Sequence, residues 1–124
     1  MNCIFCDLDK EKYLISNELA FAIYDKFPVN RGHILVMPKR HMSSLFEMKE
    51  DEILFIYKLL DTCKKILDEE FKPDGYNVGI NIGEYAGQSI FHLHVHLIPR
   101  YYGDVEKERL KGGIRNFKES IVKY

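Results

Sequence analysis

The stretch Ile90-Phe91-His92-Leu93-His94-Val95-His96-Leu97-Ile98, with Pro99 behind it, decides the fold. It alternates imidazoles with apolar side chains over a length typical of a strand. Successive strand side chains point to opposite faces, so Phe91, Leu93, Val95 and Leu97 share one face and His92, His94 and His96 the other. Alternate histidines then stand roughly 6.5 Å apart along the backbone. A strand that is oil on one side and imidazole on the other needs a core beneath it and places chemistry above it. Pro99 is expected to end it.

Working outward, residues 76–82 read as a strand and residues 83–87 as a short loop between the two. Residues 33–37 (His-Ile-Leu-Val-Met) are β-formers, with a predicted stop at Pro38. Residues 12–16 and 19–25 read as two short strands around Ser16-Asn17-Glu18. The clearest helix spans residues 50–70, where Ile53, Ile56, Leu60, Cys63 and Leu67 recur by threes and fours and predict one buried stripe. Lys72-Pro73-Asp74-Gly75 ends it. Short links between neighbouring strands favour antiparallel pairing, which gives an α+β fold with a helix on one face of the sheet.

The chain has 124 residues, enough for one domain. Lys plus Arg is 18 and Asp plus Glu is 19, so no broad polybasic surface exists and a nucleic-acid partner is not expected. With 8 Phe and 8 Tyr there is apolar surface enough to offset chain entropy, which excludes wholesale disorder. No apolar window of about 18 residues exists, so no membrane partner is expected. The start of the chain has neither the basic residues nor the apolar core of a secretory signal, so a cytoplasmic location with its 3 cysteines reduced is expected.

The histidine row admits three readings: a polar solvent face, a chelated catalytic metal, or a nucleophilic imidazole whose neighbours hold a phosphorus transition state. The flanks favour the last. Gly87-Gln88-Ser89 lies directly upstream and Asn81 six residues before Gly87, all neutral hydrogen-bonding groups and flexible backbone suited to phosphate oxygens. A hydrolytic metal centre would usually add carboxylates, and the nearest is Glu84. Cys3-Ile-Phe-Cys6 is by itself a redox pair or half a zinc site. Cys63, on the helix stripe, reads as a small buried thiol.

Gly87-Gln88-Ser89-Ile-Phe-His92-Leu-His94-Val-His96-Leu-Ile resembles the motif of the histidine-triad (HIT) nucleotide hydrolases and transferases. Further segments resemble the same family: Asp25 to His41 its N-terminal half, Asn81 to Gln88 its phosphate loop, and His96 to Tyr101 the end of its bacterial branch. Together they cover roughly residues 3–104.

The resemblance implies an HIT-like fold: a mostly antiparallel five-stranded sheet, one long helix and a short helix, in a two-fold homodimer. It implies an HIT domain over residues 1–104, with 105–124 as its C-terminal arm. It implies His94 as nucleophile toward the α-phosphorus of a purine nucleotide, His96 as phosphate ligand, and Ser89 and Gln88 as donors. Asn81 and Gly87 are implied on the phosphate side, Asp25 at the ribose hydroxyls, and Phe5, Leu8 and Ile23 around the base; plain core packing is an equal reading of those three. Finally, it implies a structural zinc held by Cys3, Cys6, His41 and His92, with no organic cofactor. His33 is either an orienting residue or a buried structural histidine. The expected substrate is a nucleoside phosphoramidate or a dinucleoside polyphosphate. A nucleotide-binding sensor with negligible turnover and a catalytic metallohydrolase are the competing classes.

Overall fold

The computed structural model describes residues 2–116. Five strands form one sheet in the order β1-β2-β3-β5-β4. They are β1 (Ile15–Ser16), β2 (Ala20–Tyr24), β3 (Ile34–Pro38), β4 (Gly75–Ile80) and β5 (Val95–Arg100). All four neighbour pairs are antiparallel. The one long helix, α1 (Glu50–Glu70), joins β3 to β4 and packs against β2, β3 and β5. The short helices are single 3-10 turns, among them Lys10–Lys12 and Leu45–Glu47.

The sheet buries both faces. On the helix side Ala20, Ala22, Ile34, Val36, Val95 and Leu97 meet Ile56, Leu59, Cys63 and Leu67 of α1. On the opposite side Phe21, Leu35 and Met37 pack with Cys3 and Phe5 of the N-terminal segment. Each large apolar side chain removed from water this way contributes about 1.5–3 kcal/mol.

The apolar stripe of α1 is rotated from its expected position. Ile53 is 45% exposed, while Leu59, which lies off the spaced stripe, is 3% exposed. The reason sits one turn earlier. Glu52 faces the sheet, because its carboxylate accepts from Arg40 through Nε (2.9 Å) and Nη2 (2.8 Å) and from the Lys49 N–H (2.9 Å). A charged residue thus takes a buried place on the helix, and the face continues through Ile56, Leu59, Cys63 and Leu67.

The histidine strand also starts later than expected. Residues 90–94 lie outside the ladder, and β5 runs through Pro99 rather than stopping before it. The last rung to β3 is Val36 opposite Val95. Continuing the register would put His94 opposite Met37 and then Leu93 opposite Pro38, which has no N–H to give. The Leu93 N–H instead donates to the Met42 carbonyl at 2.7 Å. Pro99 is tolerated because it lies past the Ile34–Leu97 pair, at the other end of the ladder to β3, and pairs with Tyr76 of β4. Pro38 likewise closes β3 from inside it, paired with Ala20. The strand expected at 12–16 shrinks to two residues, since Lys10–Lys12 form a turn capped by Asp9. The strand expected at 76–82 occupies Gly75–Ile80.

Among the described residues no helix is long and apolar enough to cross a membrane. Residues 105–116 of the expected arm form two further 3-10 turns; residues 117–124 lie outside the described residues.

Candidate active site and metal centre

Beyond the ladder, His92 meets partners that His94 and His96 do not. Its Nε2 lies 2.8 Å from the Pro38 carbonyl, which can only accept, so Nε2 carries the proton and Nδ1 presents its lone pair. That lone pair faces Cys3 Sγ at 3.4 Å, Cys6 Sγ at 3.4 Å and His41 Nδ1 at 3.2 Å. Cys6 Sγ lies 3.5 Å from His41 Nδ1, and the four ligand atoms are all within 4.8 Å of one another. A tetrahedral zinc with ordinary Zn–S and Zn–N bonds separates its ligand atoms by roughly 3.3–3.8 Å. The observed spacings fit that geometry. The Cys6 N–H also donates to Cys3 Sγ at 3.3 Å, support of the kind a thiolate ligand needs. The Pro38 carbonyl plays the same part for His92. The four residues expected to bind metal are therefore brought together, from the N-terminal turn, the end of β3 and the approach to β5.

His94 and His96 stand next to each other, their ring centroids 5.0 Å apart. His94 Nδ1 lies 2.8 Å from the His92 carbonyl, so this nitrogen donates and Nε2 is left with a free lone pair. The ring is buried, with the Phe5 ring 5.3 Å away at a steep angle.

His96 is oriented from behind. The Val29 N–H donates to His33 Nδ1 at 3.0 Å, which leaves the His33 proton on Nε2. That Nε2 lies 2.9 Å from His96 Nδ1 and 3.5 Å from Asp25 Oδ2. His96 accepts on Nδ1 and carries its own proton on Nε2, a buried atom with no partner among the described residues. Burial, then the neighbouring rings of His94 and His33, hold His96 down to about 4; burial also lowers His33, against the pull of Asp25. Both are neutral near pH 7. His33 thus belongs to the constellation. Its sequence signal is modest: it stands eight residues after Asp25 at the entry to β3.

The loop before the triad supplies the remaining groups. Gly87 has φ +92, and a Cβ there would lie 3.9 Å from Asn81 Nδ2. Ser89 is exposed. Gln88 is buried, with Oε1 accepting from the Gly83 N–H (2.8 Å) and Nε2 donating to the Ser43 (2.9 Å) and Ile90 (3.3 Å) carbonyls. Both its N–H groups are engaged, so Gln88 acts on the site through the loop it holds. Asp25 Oδ1 accepts from the Phe27 N–H at 2.9 Å, leaving Oδ2 toward His33. Phe5 is packed into the second core, while Leu8 and Ile23 are only partly covered beside it.

A cleft of about 470 Å³ opens beside His96, between Asp25 and His33 on one side and Asn77, Gly79 and Asn81 on the other. Its mouth includes Phe27, Val29 and, from the C-terminal arm, Gly113 and Ile114. Neither strand pattern nor spacing marked Phe27, Val29 or Ile114 as site residues.

This geometry has counterparts. An uncharacterised HIT-like protein of Methanocaldococcus jannaschii is 37% identical over 118 residues, 92% of this chain and 90% of its own. A bis(5'-adenosyl)-triphosphatase of Dictyostelium discoideum is 31% identical over 110 residues, 81% of this chain and 74% of its own. The crystal structure of a zinc-bound histidine triad family protein from Mycobacterium smegmatis superposes with a TM-score of 0.73 at 31% identity, covering 82% of this chain and 77% of that one. The HIT domain model matches residues 9–103. With the family model matched over most of the chain, and His92 set beside two cysteines while His94 stands beside His96, the chain belongs to the HIT domain family.

Proposed function

We propose that this chain hydrolyses, or transfers the nucleotidyl group of, a nucleoside 5'-phosphate derivative through a covalent intermediate on His94. The observation that carries the reading is the orientation of His94: its Nδ1–H is fixed on the His92 carbonyl at 2.8 Å, so Nε2 is the nitrogen whose lone pair is left to attack. The Nε2 lone pair forms an N–P bond at the α-phosphorus. The bond to the leaving atom breaks with its electron pair on that atom, which takes the proton of His96 Nε2–H. Water then attacks the same phosphorus, the N–P pair returns to Nε2, the water's hydroxyl stays on the mononucleotide and its other proton restores His96.

His96 Nε2–H offers a charge-neutral donor to the phosphate or the leaving atom, held in line by His33. Ser89 and Asn81 flank the phosphate beside Gly87. Asp25 accepts from the ribose hydroxyls, and Phe5, Leu8 and Ile23 border a purine. Binding both ends of the nucleotide holds the phosphorus in line with Nε2, where the entropy of alignment is already spent.

Cys3, Cys6, His41 and His92 would hold a zinc ion with no open coordination position, so its contribution is structural: it ties the N-terminal turn to the triad. Ile53, Leu54 and Tyr57 leave an apolar exposed strip on α1, which supports the expected homodimer.

The test is mononucleotide release from adenosine 5'-phosphoramidate and diadenosine tetraphosphate without added metal, comparing wild type with His94→Asn. Release that drops at least about 10³-fold in the variant supports the reading. Equal release by both proteins removes His94 from the chemistry. Saturable nucleotide binding by a folded wild type that releases nothing points to a sensor.

A further inference from the structure

His33 and His96 share one hydrogen bond, and two neutral imidazoles can make such a bond in either direction. In the direction found here, His33 Nε2–H donates to His96 Nδ1 at 2.9 Å, and His96 keeps its own proton on Nε2. In the reverse direction His96 Nδ1–H donates, His33 carries its proton on Nδ1, and His96 presents a bare lone pair at Nε2. One backbone group decides between the two. The Val29 N–H donates to His33 Nδ1 at 3.0 Å, so that nitrogen must be bare. The reverse direction would set two donors against each other beside a buried ring, and neither would be satisfied.

The segment that carries Val29 has little packing to hold it. Residues 26–29 are all exposed, Phe27 at 86% and Val29 at 64%. The next residue, Asn30, is half-buried, and its carbonyl accepts from the His33 N–H at 3.2 Å. Its side chain ties the loop down: Nδ2 donates to the Pro99 carbonyl at 3.0 Å and to Asp104 Oδ2 at 2.8 Å. Asp104 is itself firmly held. Oδ2 also accepts from the Tyr101 N–H and Arg100 Nε, and Oδ1 from Arg100 Nη2, each at 2.9 Å. Arg100 reaches on to Asn77 Oδ1 of β4 with Nη1 at 2.7 Å. One carboxylate, 10% exposed, thus binds the loop to the end of β5 and, through Arg100, to β4. Arg100 first, then the Tyr101 N–H, hold its carboxyl well below the ordinary carboxylate range, so it is charged wherever the two histidines are neutral.

We propose that Asp104 is a positioning residue for the histidine row. Through Asn30 it holds the Val29 N–H in place, the Val29 N–H selects the tautomer shared by His33 and His96, and that tautomer makes His96 a donor at Nε2. The last link rests on the reading of His96 as proton donor to the leaving atom. The first two stand on contacts within the chain.

The tautomers are read from the ring nitrogen-15 shifts of wild type, Asp104→Ala and Asn30→Ala near pH 7. In wild type both rings are expected to carry the proton wholly on Nε2. The two variants cut the same link from either end, and in both the two rings are expected to become tautomer mixtures. The kcat for AMP release from adenosine 5'-phosphoramidate is expected to fall about 10-fold in each, with KM within about 3-fold of wild type. Leu59→Ala, in the core on the helix side of the sheet, is expected to lower the unfolding temperature while leaving tautomers and kcat as in wild type. Wild-type tautomers in either folded variant overturn the proposal. So do mixed tautomers in Leu59→Ala, or an unchanged kcat in a variant whose tautomers are mixed. Asn30→Ala keeps the Arg100–Asp104 pair and decides alone should Asp104→Ala not fold. Should wild type release no AMP, the reading of His94 fails, and the ring shifts, which need no substrate, still decide whether Asp104 sets the two tautomers.

Discussion

Gly32 shows how much one position can carry. Its φ of +85 lies in the left-handed region, and a Cβ there would meet Leu67 Cδ2 at 2.9 Å, Phe71 at 3.2 Å and Pro99 at 3.3 Å. The residue after it is His33, whose ring orients His96. Gly32→Ala combines backbone strain with overpacking and is expected to destabilise by about 2–4 kcal/mol in urea titrations. Activity of the folded fraction is expected to fall too, since His33 is displaced; a neutral effect on both would mean the loop relaxes freely. At the same scale, His33 and His96 set a pH dependence. Burial lowers both below the ordinary value of 6.5, His96 to about 4. The unfolded chain therefore binds protons more readily between those values. Stability is full above about pH 6.5 and declines as pH falls toward 4. Urea midpoints at pH 7, 5.5 and 4.5 check this, with a shallower decline expected in His96→Asn.

At the scale of elements, α1 and β5 each meet a rule that pattern alone does not carry. The α1 spacing predicted a face through Ile53 and Leu60; the buried face instead runs Glu52, Ile56, Leu59, Cys63, Leu67. The Arg40–Glu52 pair turns the first helical turn inward and, being adjacent to His41, braces the metal-side loop. Glu52→Ala is expected to cost about 1–2 kcal/mol, less than a fully buried pair because Arg40 is half in solvent and can rehydrate. Leu67→Ala, which opens a cavity beneath Gly32, is expected to cost about 2–5 kcal/mol. Thermal or urea unfolding of the two variants ranks them; the reverse order would mean the ion pair, not the apolar face, anchors the helix. For β5, the alternation was legible over 90–98, but hydrogen-bond supply was not: the Leu93 N–H goes to the Met42 carbonyl, and the ladder begins at Val95.

Across the whole molecule, one Cys/His cluster that could hold a metal ion brings residues 3 and 6 to residues 41 and 92. Purified protein is expected to hold about one zinc per chain by elemental analysis. Removal by a chelator, or Cys6→Ser, is expected to lower the unfolding temperature by on the order of 10 °C and to loosen Phe5 from His94. A chain free of metal as purified and indifferent to added zinc would make the cysteines incidental thiols.

The sequence by itself determined the antiparallel α+β plan, the single long helix and the identity of the triad. These follow from local alternation, a 3.6-residue period and a motif read in order. The metal set was legible only through resemblance, since no spacing links Cys3 to His92. Tertiary structure alone decided which nitrogen of each histidine is free, because tautomers are set by carbonyls such as Pro38 and His92 that fold geometry brings near. It also decided that Gln88 holds its loop, that Glu52 is buried and that Phe27, Val29 and Ile114 meet at one cleft. Each depends on contacts between segments far apart in the chain, and hydrophobic periodicity encodes which face a residue takes, not which distant residue it will find there.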